Sequence, residues 1–319
     1  MKRFFGVILG LAMAWPIASH AANWPTRAVT IVVPFAPGGS TDITARLLAK
    51  QLSDLLKQPF VVENKGGGGS IIGTQYVTRA APDGHTLLLT SSAVAIIPHL
   101  NQLPFDPQKD LAPVGRIMDN HGVILVGPNS PHKTIKDLFE AMKAKPGALT
   151  YGSAGNGSGT HLWVAGMLYR AGLKAVHVPY KGAGPAKAAA MSGEVDFISD
   201  AIGSAMGQIN GKALRPLAVL SKERDTYLPD VPALAETVMP GFDFAQWLGM
   251  FAPAGTPPET VAAINKALRQ VIDTAETKAL VKEQGLVTAP TTPEEMGALL
   301  KTDTAWYGEL IKAAGITAE

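Results

Sequence analysis

Two glycine-rich turns constrain what this chain can fold into. Residues 34–42 (PFAPGGSTD) and 152–161 (GSAGNGSGTH) each follow a short apolar run, and each opens onto a stretch with helical spacing. A strand that stops at a glycine turn and feeds a helix is the repeating unit of an α/β fold. It leaves the first N–H groups of the helix without intrahelical partners, at the positive end of the helix dipole. Two such ends facing each other can hold a small anion from both sides.

The rest of the sequence repeats that unit. The β-branched run at 28–35 is followed by Ile43, Leu47, Leu48, Leu52, Leu55 and Leu56 at helical spacing, until Pro59 stops it. Strands are predicted at 59–63 and 85–90, with a glycine loop at 66–69 and a helix at 72–81 between them. A strand at 122–126 and an amphipathic helix at 134–144 lead into a second series. It has strands at 149–152, 176–180, 195–199 and 214–220, and helices at 160–171 and 185–191. An apolar run at 246–251 then precedes helices at 259–275 and 293–313. The alternation predicts mostly parallel sheets covered on both faces. Two series with a chain end left over predict two α/β lobes, the first discontinuous (22–121 plus 247–319) and the second spanning 122–246. The segments 122–126 and 246–251 are expected to cross between the lobes, with a ligand cleft at the carboxyl ends of the strands.

The first residues, Met1-Lys2-Arg3, an apolar stretch at 4–17 and then Ser19-His20-Ala21, have the order of a secretory signal peptide over 1–21, cleaved near Ala21/Ala22. The apolar stretch is shorter than the ~20 residues that span a bilayer, so export is expected. Cleavage removes Lys2 and Arg3 from 28 basic residues and leaves 26 against 26 acidic ones, a formal charge of zero. Nucleic acid is therefore not an expected partner. With no cysteine in 319 residues, disulfides, zinc-thiolate sites and a cysteine nucleophile are excluded.

In the first turn Gly38 and Gly39 bare the backbone, while Ser40 and Thr41 offer hydroxyls or helix caps. Asp42 would repel an anion, so it is expected to hold the loop or a bridging water. The second turn supplies Ser153, Gly155, Asn156, Ser158 and Thr160, more neutral donors than a turn needs. His161 is expected as a packed, hydrogen-bonded group. Ser91 and Ser92 end the third strand and should reach the same rim. Asp200 ends a strand of the second series, where it either accepts a ligand hydroxyl or amine or caps the next turn. No dinucleotide fingerprint, P-loop, nucleophile elbow or zinc helix is present, and no cofactor or metal is expected. Ser158 and His161, at i and i+3 on a helix, leave a periplasmic hydrolase as the alternative.

The motifs WPTR at 24–27, PFAPGGSTD at 34–42, VVENKGGGGSIIG at 61–73, APDGHTLLL at 81–89, YGSAGNGSGTHL at 151–162, VPYKGAGPA at 178–186, LPDVPALAE at 228–236 and FAPAGTP at 251–257 appear in that order. With them the chain resembles the solute-binding receptors of tripartite tricarboxylate transporters, the Bug-type family. Gly66 and His85 depart from the usual pattern. The resemblance implies a periplasmic binding protein of type II, two α/β lobes joined by two crossing strands. It also implies a small carboxylate ligand, a mono- or dicarboxylate or a carboxylate-bearing amino acid or aromatic acid, and membrane permease subunits as partners. A monomer is expected, and a ligand-presenting role toward a sensor kinase stands as a further option that uses the same cleft. It implies that Phe35, Gly39, Ser40, Gly155, Ser158 and Thr160 hold one carboxylate, with Ser91 and Asp200 at the variable end of the ligand.

Overall fold

The computed structural model describes residues 24–317; the signal segment expected at 1–21 lies outside them. Strands and helices alternate as β1 (Val29–Val33), α1 (Ser40–Leu56), β2 (Phe60–Asn64), α2 (Ile71–Thr78), β3 (Thr86–Ser91) and α3 (Ala93–Leu100). A short α4 (Pro107–Asp110) then leads to a long β4 (Leu111–Asn120). The second series is β5 (Gly122–Val126), α5 (Ile135–Ala144), β6 (Thr150–Ser153), α6 (Gly159–Ala171), β7 (Val176–Pro179), α7 (Ala183–Ser192), β8 (Phe197–Ala201), α8 (Ile202–Asn210) and β9 (Arg215–Val219). After α9 (Leu234–Thr237) come β10 (Gln246–Pro253), α10 (Pro258–Ile272), α11 (Ala275–Glu283), β11 (Val287–Thr288) and α12 (Pro293–Ala314).

These strands form two sheets, one per lobe, in the orders β11-β4-β10-β3-β1-β2 and β7-β6-β8-β5-β9. The chain leaves the first sheet at His121, between β4 and β5, and returns to it just before β10. Both sheets are mixed rather than mostly parallel. β1 pairs in parallel with β2 and β3, and β6 with β7 and β8, whereas β10 and β5 run antiparallel to their neighbours. The reason is geometric. A strand arriving from the other lobe enters at the edge facing that lobe, where the parallel strands end, so it must run against them. One edge of each sheet therefore gathers the ends of β1, β3 and β4, or of β6 and β8, together with the start of a returning strand.

β4 was not legible as a strand, because Pro113 and Gly115 interrupt it. Both sit where its pairing with β10 slips register, opposite Phe251 and Met250, and a proline is tolerated at such a bulge.

Alternation along the first sheet divides its core. Ile31, Leu87 and Leu89 pack with Leu48 and Leu52 of α1 and Ile264 and Leu268 of α10. Val32 and Leu88 face the other way, toward Val94, Met296 and Tyr307. That cluster continues unbroken into the second lobe through Leu162, Trp163, Phe197 and Phe242. The C-terminal helix α12 packs on α3 and β4 of the first lobe and on α6 of the second, so the lobes share an apolar floor behind the cleft edge.

Candidate ligand-binding cleft

The first glycine turn leaves β1 at the cleft edge. Gly38 takes φ +88°, and its N–H donates to Asp42 Oδ2 at 2.9 Å. Gly39 is the N-cap of α1, with φ −79° and ψ 167°, and no side chain caps the helix. Among the described residues the N–H groups of Gly39, Ser40 and Thr41 have no protein acceptor, and the space above Gly39 is empty. Asp42 is buried and its oxygens are engaged within the protein. Oδ2 accepts from Arg46 Nε at 3.1 Å, and Oδ1 accepts from Asn64 Nδ2 at 2.9 Å, the same amide that reaches Phe35 O at 3.2 Å. Burial pushes the Asp42 carboxyl up, but Arg46, the Gly38 N–H and Asn64 outweigh it and hold it below the ordinary carboxylate value.

The second turn leaves β6. Gly155 at φ +132° and Gly157 at φ +70° let it fold back on itself. Fully buried Ser153 donates from Oγ to Gly155 O at 3.0 Å and lies 2.6 Å from His177 Nε2. Thr160 Oγ1 accepts from Ala154 N at 2.8 Å. Ser158 caps α6 by accepting from His161 N at 3.3 Å while it donates to Gly155 O at 2.7 Å. The N–H groups of Asn156, Gly159 and Thr160 are left without protein acceptors among the described residues.

Gln246 ties the second turn to the edge of the first sheet from which the first turn also rises. It opens β10, whose next residues pair with the end of β3, where Leu248 faces Ser91 and Ser92 N donates to Trp247 O at 2.9 Å. Its side-chain amide packs so closely on Gly159 that a Cβ there would overlap it. Ser91 Oγ accepts from Ala93 N at 3.3 Å on the same rim. Across the mouth, Gly203 at the head of α8 lies against Gln284 and Gly285 of the first lobe, and Tyr227 Oη donates to Leu286 O at 3.2 Å.

Of the ten residues expected at the ligand, the structure leaves Phe35, Gly39, Ser40, Ser91, Gly155 and Ser158 with some exposure. It buries Asp42, Ser153, Thr160 and Asp200, whose polar atoms hold the turns and the strand end. Arg46, Asn64, Lys187 and Gln246, none of them expected at the site, take part in holding them. The hydrolase alternative finds no support in this geometry. Ser158 Oγ bonds the His161 backbone, while the His161 ring accepts from Gly157 N at 3.0 Å through Nδ1. Among the described residues no group of three or more acidic or histidine side chains is arranged to hold a metal ion.

His161 stacks on His177 with ring centroids 3.8 Å apart and 8° between planes. Burial, aided by His177, pushes it down to about 4. The unfolded chain then binds more protons between pH 4 and the ordinary histidine value of 6.5, so this residue's contribution to stability rises with pH across that window and is lost as pH falls. Buried Asp119 and half-buried Asp303, each pushed up to about 6 by desolvation, act in the opposite direction from pH 4 to 6. The histidine contribution is therefore read as a difference. Urea unfolding of wild type minus His161→Phe is expected to grow by about 1–3 kcal/mol from pH 4.5 to 7. A pH-independent difference would contradict the assignment.

Two α/β lobes joined by chain crossings at the cleft edge, with glycine turns heading helices on both sides, define the class of two-lobed solute-binding proteins. The model of the tripartite tricarboxylate transporter family receptor matches residues 44–316, and the chain belongs to that family. It is 32% identical to BugT of Bordetella pertussis over 97% of this chain and 96% of that one. Among solved structures, a protein of R. palustris with adipate matches at 31% identity and TM-score 0.73, over 92% of this chain and 99% of that one. MatC of Rhodopseudomonas palustris, with bound malate, matches at 30% identity and TM-score 0.68, over 90% and 100%. The family is one of solute-binding receptors rather than enzymes.

Proposed function

We propose that this receptor captures a small carboxylate in the periplasm and hands it to the permease subunits of a tripartite transporter. One ligand carboxylate would sit between the open N–H groups of Gly39, Ser40 and Thr41 and those of Asn156, Gly159 and Thr160. The observation that carries this reading is the uncapped head of α1, which follows β1 at the same edge of the first sheet where Gln246, at the start of β10, packs on the head of α6. The relatives solved with adipate and with malate support a carboxylate as the ligand class.

Neutral donors suit a ligand that must also be released. Each charge-assisted hydrogen bond contributes about 1.5–3 kcal/mol, and four or five of them offset an association cost of roughly 4–15 kcal/mol. The balance allows an affinity near micromolar, about −8 kcal/mol. The lobes that close on the ligand would comprise residues 22–121 with 247–319, and 122–246. Sheet membership supports this division apart from Gln246, since the first sheet draws on segments 29–120 and 246–288 and the second on 122–219.

A thermal-shift screen of mono- and dicarboxylates tests the reading. A bound acid at 100 times its Kd is expected to stabilise the protein by about 2.7 kcal/mol. No shift with any carboxylate, in a protein shown to be folded, would contradict it.

A further inference from the structure

Beside the second glycine turn, the end of β8 carries a closed ion pair that the sequence did not reveal. Lys187 Nζ, on α7, lies 3.1 Å from Asp200 Oδ2 and donates at 2.9 Å to both Ser204 O and Ser204 Oγ. All three of its protons are thereby engaged. Asp200 Oδ2 also accepts from Ser204 Oγ at 2.9 Å, and Oδ1 accepts from Ala201 N at 2.9 Å. The side chains are only 13% and 4% exposed.

The pair lies on the edge that meets the first lobe. β8 runs parallel to β6, with Phe197 and Ile198 beside Tyr151 and Gly152, so Asp200 is reached where the 154–158 turn rises. Ser199 Oγ donates to Thr160 O at 2.7 Å, which ties this strand end to the head of α6. Two residues beyond Ala201, Gly203 is already in contact with the first lobe. Tyr180 N and Gly182 N donate to Ser153 O and Ala154 O, bringing the neighbouring 180–182 loop to the same edge. Lys181 on that loop is exposed and adds no negative charge.

From this geometry we infer that Lys187 withholds Asp200 from the ligand and makes the wall beside the carboxylate cradle electrically neutral, so that the receptor selects carboxylates without an ammonium group over the matching amino acids. The inference rests on the carboxylate-receptor reading and specifies its ligand class. An α-ammonium group brought to this wall would find no free carboxylate oxygen. To gain one it would have to displace a largely covered lysine that already has three partners, and a charge left unpaired there is costly.

Isothermal titration of wild type with propionate and alanine, succinate and aspartate, and 3-phenylpropionate and phenylalanine tests this. In whichever pair binds, the deaminated acid is expected to bind at least about tenfold more tightly. Lys187→Met leaves a net negative wall and is expected to shift the ratio toward the amino acid by about tenfold or more. Asp200→Asn leaves a net positive wall and is expected to shift it the other way, with succinate gaining most. The isosteric asparagine variant keeps the test decisive if the methionine variant fails to fold. Equal binding of acid and amino acid by wild type, or a ratio unmoved by Asp200→Asn, would overturn this inference alone. Failure of wild type to bind any of the acids, or any other carboxylate, would overturn the receptor reading with it.

Discussion

Gly39→Val is expected to abolish carboxylate binding while leaving the fold intact. Gly39 holds φ −79° and ψ 167°, extended backbone that a β-branched residue adopts readily, and a Cβ built there meets nothing within 4 Å. The substitution is therefore tolerated by the protein and falls on the ligand. The valine methyls would occupy the space before the first-turn N–H groups of α1, displacing a carboxylate from one side of its cradle and leaving those donors covered. A loss of at least about 100-fold in affinity, near 2.7 kcal/mol, is expected, with the unliganded melting temperature within about 1 °C of wild type. Titration calorimetry and differential scanning measure the two quantities. Full affinity in the variant would remove the α1 head from the site.

The second large effect is on stability. Trp163, on α6, is 1% exposed and plugs the base of both chain crossings. Its ring lies against Gly122, where a Cβ would overlap it, and its Nε1–H donates to Phe244 O at 3.0 Å, two residues before β10. Trp163→Ala removes this burial and leaves a cavity under both crossings, at a cost of about 3–5 kcal/mol. At roughly 2 °C per kcal/mol for a chain of this size, the melting temperature should fall by about 6–10 °C. Trp163→Phe keeps most of the volume but orphans the Phe244 carbonyl, and should cost about 1–3 kcal/mol. Equal effects of the two substitutions would mean that the hydrogen bond, not the packing, carries the site.

Much of the architecture was legible because its signals are local. The Ile43-to-Leu56 spacing marked α1, Pro59 marked its end, and the glycine turns marked the strand–helix junctions. What escaped depends on partners distant in sequence. β4 is a strand only because β10 returns alongside it and absorbs Pro113 at a register slip. The antiparallel pairings follow from where the chain re-enters each sheet, which no window of residues reports.

The same divide runs through the site. The open N–H groups at Gly39 and Gly159 were readable from turn chemistry and helix heads. The grip on Asp42 was only half visible. Arg46 lies one helical turn away, whereas Asn64 arrives from β2, 22 residues on. Lys187 is a lone cation in an alanine-rich helix, and its partner Asp200 was noticed without it, so the strand end looked free when it is neutralised. Gln246 gave no sign at all, because its role comes from meeting Gly159, 87 residues earlier in the chain.

A crystal structure with a carboxylate that stabilises the protein tests the central claim most directly. One carboxylate group is expected to lie within hydrogen-bond distance of N–H groups from both helix heads at once, Gly39 to Thr41 on one side and Gly159 to Thr160 on the other. A ligand bound elsewhere, or held by one turn while the other faces open solvent in a closed protein, would contradict the account.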